Sequence, residues 1–140
     1  MLRLQVKNII KKSKLTITKN RKKILSVFLN AERPLSLKEI RLLIIDIDRT
    51  TLFRILSVFE EKKVIHIINM EGNNKLYALC HQECNVNRLE HRHKHIHFKC
   101  DDCNNVTCLS INKFPQLNVP NYMINNLNIN ASGICVNCKK

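Results

Sequence analysis

Between residues 19 and 29 the apolar positions Ile24, Leu25, Phe28 and Leu29 recur three and four apart, the spacing that lines one face of an α-helix. Thr18 stands where a side-chain oxygen caps such a helix, and a basic segment reaching to about Lys14 precedes it. Pro34 ends any helix that reaches it, because it has no N–H to donate. Ser36 followed three residues later by Glu39 predicts a capping box and a third helix over about 37–44. Asp48 caps a fourth, over about 49–62, with Leu52, Leu56 and Phe59 facing inward and Thr50, Arg54 and Ser57 on the opposite side. The period then changes. A β-branched run over 64–69, a glycine-bearing segment over 71–74 and a short run over 75–79 predict a β-hairpin. Closely spaced helices followed by a hairpin are the order of a winged helix-turn-helix, with the fourth helix as its reading element and the hairpin as its wing.

From Cys80 to about Arg92 the chain is polar and without period, which predicts a hinge. Over 91–99 polar and apolar residues alternate, so a strand there places His91, His93, His95 and His97 on one face and Ile96 and Phe98 on the other. A further strand is expected over 106–111, a short helix over 122–127 and a last strand over 128–134. The fold class is α+β. A winged helix-turn-helix occupies 1–80, a hinge 81–92, and a small α/β unit 93–140.

Charge adds a partner to this outline. Lys and Arg number 24 against 11 Asp and Glu, a formal net charge of +13, and an excess of that size points to a polyanion. The excess is steepest in residues 1–30, where Arg3, Lys7, Lys11, Lys12, Lys14, Lys19, Arg21, Lys22 and Lys23 face no acidic residue in sequence. A basic helix-turn-helix makes nucleic acid the first candidate, with Lys19 and Arg21 among the phosphate contacts and Arg49, Thr50, Thr51, Phe53 and Arg54 presented by the fourth helix. No stretch approaches the roughly 20 apolar residues of a membrane span, and the N-terminus carries no signal-peptide pattern, so a cytoplasmic protein is expected.

Seven cysteines are an odd number, and four of them form Cys100-x-x-Cys103 and Cys135-x-x-Cys138, so metal accounts for them better than a disulfide framework. Four thiolates complete a closed tetrahedral zinc site of the structural kind. The 31 residues between the pairs (104–134) leave room for a strand, a connection and a return strand. A second constellation comprises Cys80, Cys84, His91, His93, His95 and His97, imidazoles and thiolates that suit zinc, whereas hard cations need carboxylates and only Glu83 and Glu90 lie nearby. It predicts a second, exchangeable divalent metal, zinc ahead of iron.

Together these features resemble the ferric uptake regulator family over nearly the whole chain. Ile17-Thr18-x-x-Arg21 is similar to the family's opening L-T-x-x-R element, the segment from Pro34 to Ile40 to its next helix start, and Thr50-Thr51-Leu52-Phe53-Arg54-Ile55-Leu56 to its A-T-V-Y-R-T-L recognition helix. The resemblance implies a homodimer joined through the C-terminal unit, structural zinc at the four cysteines and a metal sensor at the hinge. It also implies a two-fold symmetric double-stranded operator, expected to be AT-rich. Three departures stand out. Phe53 replaces a frequent Tyr, which keeps an apolar contact to a thymine methyl but loses a hydroxyl. Pro34 stands where iron and peroxide sensors commonly have His, and Cys108 where they have an acidic residue. Cys80 and Cys84 ahead of the histidines are more like the zinc-sensing branch, whose sensor histidines match His95 and His97.

A zinc-responsive repressor of metal-homeostasis genes is therefore the leading expectation, and an iron or peroxide sensor on the same scaffold is the alternative. A zinc enzyme acting on nucleic acid is disfavoured. Catalytic zinc keeps an open position beside a carboxylate base, and Glu90-His91-x-His93 does not reproduce the His-x-Glu or His-Glu-x-x-His patterns. A metal-buffering protein that leaves DNA alone is a third possibility.

Overall fold

The computed structural model describes residues 1–80, 95–110, 117–124 and 127–139. The chain divides into two compact units, Met1–Gln82 and Glu83–Lys140.

In the first unit, α1 (Leu2–Lys12), α2 (Lys19–Ala31), α3 (Leu37–Leu43) and α4 (Arg49–Glu61) surround one apolar core. α1 contributes Val6 and Ile10, α2 contributes Ile24, Leu25 and Phe28, α3 contributes Ile40, and α4 contributes Leu52, Ile55, Leu56 and Phe59. The local signals act as the sequence predicts. Thr18 accepts from the Arg21 N–H at 3.2 Å, and α2 ends at Ala31 with Glu32 in the left-handed region, two residues ahead of Pro34. At α3 the capping box is complete: Ser36 Oγ accepts from the Glu39 N–H at 3.2 Å, and the Glu39 carboxylate accepts from the Ser36 N–H at 2.7 Å. That backbone donor, with Arg33 beside it, holds the Glu39 carboxyl below its ordinary pKa. Replacing Ser36 with Ala is expected to lower unfolding free energy by about 1 kcal/mol, because one N-terminal N–H loses its acceptor. Urea denaturation of the two proteins measures this, and equal midpoints would show the cap to be idle.

The wing is β2 (Ile65–Asn69) and β3 (Lys75–Leu79), antiparallel, with Ile67 opposite Tyr77. Its turn places Gly72 at φ 74°, a conformation that costs glycine nothing and other residues a steric penalty. A third strand, β1 (Leu35–Ser36), pairs with β3 and extends the sheet to the order β1-β3-β2. At two residues it is too short to show any period, and its partner lies some forty residues away.

In the second unit, β4 (His95–Cys100) is the centre of a three-stranded sheet, flanked by β5 (Val106–Ser110) antiparallel and β6 (Asn130–Gly133) parallel to it. The expected hinge, 81–92, and the first four residues of the expected His-rich strand lie outside the described residues. The expected short helix over 122–127 is a correction. Its described residues, 122–124 and 127, are irregular, preceded by a turn in which Tyr122 N–H bonds to the Val119 carbonyl at 3.2 Å and Asn121 adopts a φ of 67°. A short helix needs a buried face to offset the cost of nucleating it, and here Tyr122 is 77% and Met123 88% exposed.

Candidate metal centre and nucleic-acid interface

The two Cys-x-x-Cys segments meet because of the pairing of β4 with β6. Cys100 closes β4 opposite Gly133, and Cys135 follows two residues later. Each segment then turns tightly: Asn104 N–H returns to the Cys100 carbonyl at 3.0 Å, with Asn104 at φ 59°, and Cys138 N–H returns to that of Cys135 at 3.1 Å. The sulfurs of Cys100, Cys103, Cys135 and Cys138 all lie within 4.8 Å of one another. Zinc–thiolate bonds of about 2.3 Å in a tetrahedron require sulfurs about 3.8 Å apart, and Cys103 and Cys135 are 3.8 Å apart.

The cluster's electrostatics also suit a cation. Backbone N–H groups of Cys103 and Cys135 point at Cys100 Sγ, the latter at 3.4 Å, and hold its pKa down to about 6, so a thiolate is prepared before any ion arrives. Hydrogen bonding to the thiols of Cys135 and Cys103 pushes Cys138 up to about 12. No disulfide joins the described cysteines. Four sulfurs at this spacing fit structural zinc and leave no open position for a substrate.

Of the second constellation, Cys84, His91 and His93 lie outside the described residues, and His95 is placed only by its position at the start of β4. Cys80 and His97 are described, and each has a neighbour that was not singled out in the sequence. Cys80 follows β3, its N–H bonded to the Val64 carbonyl at 2.9 Å, and its Sγ lies 3.5 Å from Nδ1 of His66 on β2. His97 stands opposite Cys108 across β4 and β5. Both histidines are buried, His66 at 5% and His97 at 6% exposure, and burial lowers the pKa of His97 so that the ring stays neutral, the form that ligates metals. His66 was missed because one histidine inside an Ile-rich strand reads as core. The hairpin register, which brings His66 near the end of β3, could have paired it with Cys80.

α4 has one exposed and one buried face. Arg49, Thr50, Arg54 and Ser57 are exposed, while Leu52, Ile55, Leu56 and Phe59 are buried. Asp48 caps the helix twice over, accepting from the Thr51 N–H at 3.0 Å and from its hydroxyl at 2.6 Å, and these bonds lower the Asp48 pKa. The Thr51 hydroxyl proton is therefore committed to Asp48, and its oxygen keeps acceptor capacity alone. Phe53 is half-buried, with the Arg49 guanidinium 5.4 Å above its ring, a stacked pair that limits the freedom of both side chains. Lys19 is exposed at the start of α2. Arg21 donates to the Thr16 carbonyl at 2.7 Å and so braces the entry to α2.

The fold is shared with metalloregulators. A zinc uptake regulator complexed with zinc and DNA superposes with a TM-score of 0.67 at 21% identity, covering 98% of this chain and 92% of that one. The ferric uptake regulator of Vibrio cholerae gives 0.60 at 24% identity, covering 91% and 98%. That of Helicobacter pylori, a protein with three functional metal-binding sites, gives 0.57 at 17% identity, covering 99% and 92%. No curated protein matches the sequence significantly. Residues 12–134 match the profile of the Ferric uptake regulator family. With that match spanning most of its length, the chain belongs to the ferric uptake regulator family, whose members are metal-responsive transcriptional regulators and not enzymes.

Proposed function

We propose that the chain is a zinc-responsive repressor of metal-homeostasis genes, acting in the cytoplasm as a homodimer on a palindromic, AT-rich operator. The observation that carries the choice of metal is the softness of the donors around the second constellation: His66 with Cys80, and His97 opposite Cys108. Imidazole and thiolate suit zinc, and a site for ferrous iron would be expected to include carboxylate. No helix among the described residues is long and apolar enough to cross a membrane.

In this reading residues 1–80 bind DNA, 81–92 form the hinge and 93–140 dimerise. Lys19 and Arg21 support phosphate contacts, while Arg54, Arg49, Thr50, Thr51 and Phe53 meet base edges in the major groove. Cys100, Cys103, Cys135 and Cys138 hold a structural zinc, which supplies folding energy when bound. Cys80, Cys84, His91, His93, His95 and His97 supply the regulatory ligands, joined by His66 and Cys108. Ligands that engage the ion better in the DNA-competent state than in the other shift the population toward it.

Fluorescence anisotropy of a labelled AT-rich palindromic duplex, at fixed salt with buffered free zinc or ferrous iron, tests the proposal. Zinc is expected to tighten binding at lower free concentration than iron. Tightening by iron with no response to zinc would transfer the chain to the iron-sensing alternative, and no specific binding with either metal would remove the DNA reading.

A further inference from the structure

Away from α4, the first unit holds a cleft of about 370 Å³ between α1 and α2. Arg3 and Lys7 line it from α1, Lys22, Lys23 and Ser26 line it from α2, and buried Val6 lies between them. Four cations therefore share one concavity with a single hydroxyl and no carboxylate. Among the described residues, Arg3, Lys7 and Lys22 have no acidic partner within ion-pair distance, and Lys23 pairs with Asp46. Ser26 Oγ donates to the Lys22 carbonyl at 2.7 Å, which settles the hydroxyl orientation at the wall.

Like charges lining one cleft repel one another, and a multiply charged anion turns that repulsion into attraction. Guanidinium and ammonium groups from two directions match the donors that phosphate oxygens accept. The volume lies at the lower end of small-molecule sites and exceeds the needs of a chloride ion. Lys23 also ties the cleft to the reading helix, because its partner Asp46 sits in the turn just ahead of the Asp48 cap of α4.

We propose that the cleft between α1 and α2 is a binding site for phosphate groups, held by Arg3, Lys7, Lys22 and Lys23. The phosphate has two possible sources, the backbone of the operator beyond the groove that α4 enters, or a free phosphorylated molecule. The first source rests on the DNA-binding reading above, and the second does not.

Two measurements on the full-length, zinc-loaded protein separate them, each made on the parent, on a Lys7→Gln, Lys22→Gln double variant and on Arg54→Ala. One is calorimetric titration with pyrophosphate at constant ionic strength, and the other is the slope of log operator affinity against log salt. Both lysines reach solvent, so the double variant is expected to fold, with an unchanged circular dichroism spectrum as the check. If the source is free phosphate, pyrophosphate binds the parent and Arg54→Ala saturably and the double variant at least about 10-fold more weakly. If the source is DNA, the salt slope of the double variant falls by about 1 for each phosphate that it no longer neutralises, while Arg54→Ala loses specific affinity. Pyrophosphate binding that is absent or equal in parent and double variant, together with an unchanged or unmeasurable salt slope, overturns the site. Absence of operator binding by the parent defeats the DNA reading by itself and leaves the pyrophosphate result to decide the cleft.

Discussion

Replacing Cys100 with Ser is expected to unfold the second unit and abolish the dimer. The reason is the poverty of that unit's own core: among its described residues only His97 and Cys100 are buried, while Leu109, Leu117, Val119, Met123, Ile134 and Val136 are exposed. Three short strands without an apolar layer do not hold together alone. Apparent binding energies of structural zinc run to about 10–16 kcal/mol, against a total stability of about 5–15 kcal/mol for an ordinary domain, so the four thiolates decide whether this unit folds. Serine cannot replace the thiolate, since its hydroxyl does not ionise near neutrality and the backbone N–H groups aimed at Cys100 lose their anionic acceptor. Cys138→Ser is expected to act in the same way from the other pair. Light scattering after gel filtration, combined with zinc content, reads the outcome, and a stable zinc-free dimer of either variant would refute the structural assignment. Because Cys138 keeps its proton far into the alkaline range, zinc uptake releases protons, and affinity at this site is expected to rise with pH.

What could be read from the sequence was what depends on neighbours along the chain. The Ser36–Glu39 capping box, the Thr18 and Asp48 caps and the three-to-four spacing of Leu52, Leu56 and Phe59 are local, and the structure places them accordingly. The two Cys-x-x-Cys pairs were equally legible, because ligand spacing in a tight turn is a local property. Long-range pairing was not. β1 exists because Leu35 meets Tyr77, the Cys80 thiol lies near His66 because of the hairpin register, and Cys108 faces His97 only once β4 and β5 are aligned. The helix expected over 122–127 is absent from the described residues, because a short apolar run does not by itself show whether a surface exists to cover it, and Tyr122, Met123 and Ile124 are exposed.

A His95→Ala, His97→Ala double variant is expected to keep its fold, its dimer and its structural zinc, yet to lose most of the zinc-dependent gain in operator affinity. The separation follows from where the groups sit. The four cysteines gather at the end of β4 and beyond β6, whereas His97 lies three residues earlier on β4, opposite Cys108 and clear of the four-sulfur cluster. In the proposed reading, removing these imidazoles takes ligands from an exchangeable ion and leaves the four thiolates intact. Coupling between a sensed ligand and a second site is typically about 1–3 kcal/mol, a 5–150-fold change in affinity, and the variant forfeits that gain without weakening metal-free binding. Burial of His97 means that its truncation also removes packing, so zinc content and dimer mass are measured beside anisotropy, with and without buffered free zinc. A variant that retains one zinc per chain and responds to added zinc as the parent does would show these histidines to be bystanders, and would move the sensor to the remaining ligands, Cys80 and His66 first among them.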